Sequence, residues 1–134
     1  MNKEQLEQVL TEAADGLLVL SETDAPLEYY FHQKSEEGTI NEEIVAAWAG
    51  KPAGKEVETE DLDYFFRNMT NPHTDAGEEV QAQADRFRKL VETLKRHLSD
   101  ITVYKIKEQS TKVLILGRTA DGDYAGYETL VVET

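Results

Sequence analysis

The sequence predicts an α/β (α+β) domain in which helices pack on a mainly antiparallel sheet. Three observations carry that prediction. Val80, Ala84, Phe87, Val91, Leu94 and Leu98 fall at alternating steps of four and three, the apolar stripe of one amphipathic helix over 78–98. Three strand-like runs follow closely, "ITVYKIK", "KVLILGR" and "YAGYETLVVE", and the short polar turns between them suit an antiparallel meander. Within the middle run, "VLIL" is apolar on both faces, which predicts a central strand covered by helices.

The other elements read in chain order. Leu6, Val9, Leu10 and Ala13 have helical spacing over residues 3–14, behind Asn2 as a cap and ahead of Gly16 as a stop. "LEYYFHQK" has the aromatic content of a strand. "TINEEIVAAWAG" opens with a Thr39/Glu42 capping box and stops at Gly50, so it predicts a short helix. "KEVETE" reads as another strand, followed by a helical turn through "DLDYFFRNM". "TNPHTDAGEE" is a loop, because Asn-Pro favours an extended turn, and Asp75 with Glu78 predicts the cap of the long helix. On that helix Asp85/Lys89 and Glu92/Arg96 are spaced as i,i+4 pairs, and Lys95, Arg96 and His97 suit the negative end of its dipole.

With 134 residues and no repeat or linker, the chain is expected to form a single domain, 1–134. It has no cysteine, which excludes disulfides, thiolate metal sites and a Cys nucleophile. Its one early apolar run, "LLVL", is too short for a membrane span or a secretion signal, so a soluble cytoplasmic protein is expected. Fourteen Lys and Arg against twenty-seven Asp and Glu give a formal net charge of −13. Direct nucleic-acid binding is disfavoured, since phosphates require cations to displace their counterions. A cationic protein partner fits that field better.

Motifs for chemistry are missing. There is no Gly-rich phosphate loop, no G-x-S-x-G and no H-E-x-x-H, and His32, His73 and His97 have no ligand spacing. Glu36-Glu37 and Glu42-Glu43 lack the alternating oxygen ligands of a calcium loop. Trp48 and Tyr64-Phe65-Phe66 read as core. No enzyme, catalytic residue or cofactor is expected.

"DGLLVLSETDAPLE" near the start, "DYFF" in the middle and "GRTADGDYAGYETLVVET" at the end give the chain a resemblance to the nuclease A inhibitor family. The similarity runs over essentially the whole chain. The resemblance implies an α/β/α sandwich that inhibits a sugar-non-specific, magnesium-dependent DNA/RNA endonuclease. It further implies that Thr134, with Glu133 beside it, enters the nuclease active site and reaches the partner's magnesium. Glu22 would contact basic groups there, and the loop residues His73, Thr74 and Asp75 would complete the partner-binding set. The family's loop carries an acidic residue followed by a tryptophan, where this chain has Thr74 and Asp75. A terminal threonine suits the implied role, because its carboxylate and hydroxyl are hard oxygen donors of the kind Mg²⁺ prefers. Mounting it on a strand removes ordering cost on binding. Two other readings stand beside this one. One is an acidic interaction module of the same fold with a non-nuclease partner; the other is a hydrolase pairing Glu22 with a histidine.

Overall fold

The computed structural model describes residues 3–19, 25–33, 45, 48, 56–71, 75, 77–107 and 110–132. In chain order these form α1 (Lys3–Ala14), β1 (Leu18–Val19), β2 (Ala25–Pro26), β3 (Glu28–His32), β4 (Val57–Glu60), α2 (Leu62–Phe65), α3 (Arg67–Thr70), α4 (Glu78–His97), β5 (Ser99–Ile106), β6 (Ser110–Arg118) and β7 (Tyr124–Val132). β1 and β2 make a small hairpin. The other strands form one antiparallel sheet in the order β3-β7-β6-β5-β4.

Apolar side chains cover this sheet on both faces. β6 lies in its centre, and Val113, Leu114, Ile115 and Leu116 are all buried, as the two-sided apolar run predicts. Val113 and Ile115, with Ala125 and Tyr127 of β7, pack under Leu6 and Leu10 of α1 and Phe87, Leu90 and Leu94 of α4. Leu114 and Leu116 turn the other way and join Tyr104, Ile106 and the buried Val45. Val45 and Trp48, each in helical conformation, border this second face. Trp48 stacks on His32 with ring centroids 3.7 Å apart.

Helix boundaries have local causes. α1 ends where Gly16 takes a φ of 76°, with the Leu17 amide donating to the Ala14 carbonyl. Asp61 caps α2 by accepting from the amides of Asp63 and Tyr64. Four details differ from the sequence expectations. The N-cap of α4 is Gly77, not Asp75, which lies upstream of the cap position, and no side-chain cap hydrogen bond forms. Val80 is half exposed while Leu90 is fully buried, because the first turn of α4 extends past the packed layer. Asp85 pairs with Arg88, its i+3 neighbour, rather than Lys89. In the aromatic run, Phe65 and Phe66 are buried but Tyr64 is 53% exposed, under the Arg67 guanidinium. α2 can turn only Leu62, Phe65 and the residue after it inward together.

Tyr127 ties the layers with a buried hydrogen bond, its hydroxyl donating to the Leu10 carbonyl over 2.6 Å. Burial raises its phenol pKa strongly. Burial, and then the charge of Glu7, pushes Tyr29 up to about 12. A phenol with a raised folded-state pKa contributes stability that is complete below its unfolded value of about 10 and lost as pH rises through the folded value. The fold should therefore weaken between about pH 10 and 12. Phenolate absorbance should show these two tyrosines ionising together with loss of the far-ultraviolet dichroism. Their ionisation near pH 10 with the fold intact would contradict the buried environment.

Candidate protein-binding surface

β7 determines where the chain's last residues start. It pairs with β6 from Arg118↔Tyr124 to Ser110↔Val132, so the strand is held in the sheet up to its last described residue. On its other side the ladder with β3 stops at Glu28↔Glu128. Beyond that point the β1–β2 hairpin packs beside β7. Buried Val19 and Leu27 root the hairpin in the core, and its register pairs Val19 with Ala25 around residues 20–24.

α1 and α4 run antiparallel on this layer. Lys3 and Leu6 share a cleft with Arg96 and His97, while a Cβ on Gly16 would stand 3.7 Å from the Arg86 guanidinium. The first turn of α4 therefore lies at the end where α1 hands over to the hairpin. That turn carries Glu78 and Glu79, both exposed and well placed for the helix dipole. Three chain segments thus approach one end of the molecule: the hairpin, the start of α4 and the finish of β7.

Of the predicted contact residues, Asp75 is described, and it is exposed shortly before α4. Glu22, His73, Thr74, Glu133 and Thr134 lie outside the described residues, as do Asn2, the Thr39/Glu42 box, Gly50 and the paired glutamates at 36–37 and 42–43.

The structure adds residues that sequence reasoning missed. Glu28 and Glu128 sit directly opposite each other where the β3–β7 ladder ends, and the Lys112 ammonium holds Glu128 at 2.7 Å. Burial first, and then the charge of Glu128, raises the pKa of Tyr30 on the same face. Leu18 and Leu130 are 40% and 44% exposed. The alternation of β7 was the available signal for Glu128 and Leu130, since both fall on the face opposite Tyr127.

A cleft of about 220 Å³ occupies the other end of the sheet, lined by Lys3, Phe31, Arg96, His97, Asp121 and Asp123. His32 lies at that end as well, opposite Tyr124. The two described histidines, His32 and His97, thus lie at the end of the sheet away from the β1–β2 hairpin. Among the described residues, no group of three or more His, Asp or Glu could hold a metal ion. No helix among them is long and apolar enough to cross a membrane.

The fold and this surface define a class: a small α+β protein whose hairpin, acidic first turn of the long helix and strand end meet at one end of a sheet. The sequence model of the family described as nuclease A inhibitor-like protein matches residues 4–134, and the chain belongs to that family. No curated protein matches it significantly. Membership supports an inhibitor role in general, with a nuclease as partner, and suggests a non-catalytic protein.

Proposed function

We propose that the protein inhibits a sugar-non-specific, magnesium-dependent endonuclease by plugging its active site. Thr134 enters the site and offers its carboxylate and hydroxyl to the nuclease's magnesium. Glu22, Asp75 and the neighbouring loop residues His73 and Thr74 engage basic groups around it, and Glu133 flanks the tip. The observation that carries this reading is the pairing of β7 with β6 as far as Val132, beside the hairpin that brackets Glu22. A tip mounted on a hydrogen-bonded strand reaches into a cleft with little further loss of conformational entropy. The net charge of −13 supplies the field that draws the protein to a cationic nucleic-acid cleft.

The test is stopped-flow association with a purified endonuclease of this type at two salt concentrations. Added salt should slow association, because screening shortens the range of steering. Glu22→Gln should act mainly on dissociation, raising the off-rate roughly tenfold, since a close contact is lost after encounter. A salt-independent on-rate would count against a charge-steered inhibitor.

A further inference from the structure

We propose that the groove between β2 and β7 receives one arginine or lysine side chain of the bound nuclease. The groove encloses about 160 Å³ beside Pro26, Glu28, Lys112, Glu128, Thr129 and Leu130. Its chemistry is two-part. Glu28 and Glu128 face each other across the ladder, an arrangement of like charges that opposes pairing. Lys112 supplies one positive charge against these two carboxylates. A second cation between the carboxylates would complete the neutralisation.

The rest of the groove suits the stem of such a side chain. Pro26 and the exposed Leu130 line it, and Leu18 stands directly opposite Pro26 in the hairpin ladder. Long basic side chains lay their methylenes on apolar surface while their heads seek charge. Thr129 also borders the groove, with its buried side chain turned to the Tyr127 face of the sheet. Lys112 disfavours a bare divalent cation as the occupant, because a metal ion would sit against a fixed positive charge. The groove lies beside the finish of β7, so its occupant would come from the same molecule that receives the tip. The identity of that molecule rests on the inhibitor reading above.

The experiment has two arms. In the first, ¹⁵N-labelled protein is titrated with N-acetyl-arginine amide, with neutral N-acetyl-norleucine amide as control. The arginine compound should shift the amides of Glu28, Thr129 and Leu130, and Glu28→Gln should abolish those shifts. Equal shifts with both compounds, or none at these residues, would overturn the site. In the second arm, binding of the purified endonuclease is compared for the wild type, Glu28→Gln and Leu130→Ala. Each variant replaces an exposed side chain, and melting curves check that each remains folded. Glu28→Gln should weaken binding about tenfold and Leu130→Ala about threefold. Wild-type affinity in both variants would overturn the groove as part of the interface and leave the Thr134 reading standing. A wild type that does not bind the endonuclease would overturn the inhibitor reading and this assignment with it.

Discussion

A few residues added after Thr134 are expected to abolish inhibition of the target endonuclease. The extension converts the terminal carboxylate into an amide and forces bulk into a site proposed to accept only the end of a strand. Deleting Thr134 should be equally damaging. It leaves Glu133 as the terminus, one residue short, with its side chain on the other side of the strand because side chains alternate. Both changes should leave the fold nearly untouched, since β7 is anchored by its pairing with β6 through Val132. The loss should be on the order of a hundredfold in affinity, the scale of a central interface anchor. Thr134→Ser keeps both oxygen groups and should retain most of the inhibition. The measurement is residual cleavage of plasmid DNA across an inhibitor titration, with a melting curve for each variant. A tagged protein as potent as the untagged one would show that the terminus only finishes a strand.

Gly126→Ala should be the most destabilising single methyl addition in the sheet. Gly126 lies between Tyr30 of β3 and Leu116 of β6, so strands flank its backbone on both sides. A Cβ there would stand 1.7 Å from the Ile115 carbonyl oxygen and 2.8 Å from its carbon. Both are backbone atoms of the central strand, and neither can rotate away. Relief requires β7 to separate from β6, which breaks ladder hydrogen bonds over a buried core. The cost should be at least about 3 kcal/mol, a large share of the ordinary stability of such a domain. Urea unfolding should show a much lower midpoint. Gly77→Ser is the control, since a Cβ at Gly77 meets nothing within 4 Å and serine is a better helix N-cap. A Gly126→Ala protein with wild-type stability would mean that the strands can part there without loss.

The long helix and the closing meander were legible because each is written in local periodicity. α4 advertises its apolar stripe, and polar turns punctuate β5, β6 and β7. The central place of "VLIL" followed from simple arithmetic: a strand apolar on both faces needs cover on both. Local pattern failed where two neighbours looked alike. Tyr64, Phe65 and Phe66 are equally apolar in a list, yet only the orientation of a one-turn helix leaves Tyr64 outside. Val80 shares the period of the α4 stripe but lies beyond the surface that the stripe covers. The Asp75 cap failed because the helix starts after Gly77, a residue with no side chain to advertise the cap.

For the binding surface, the sequence by itself determined the charge, the family resemblance and the apolar finish of the chain. Those properties are sums or ordered strings, and they need no knowledge of what lies beside what. Only the tertiary structure decided that β3 and the hairpin share one flank of β7, that Glu28 faces Glu128, and that Gly126 has no room for a methyl group. The first two depend on the register between segments about a hundred residues apart, and the third on the register between β6 and β7. That register is fixed by the total burial of both sheet faces, and a slip of one residue would turn every side chain of β7 to the wrong face.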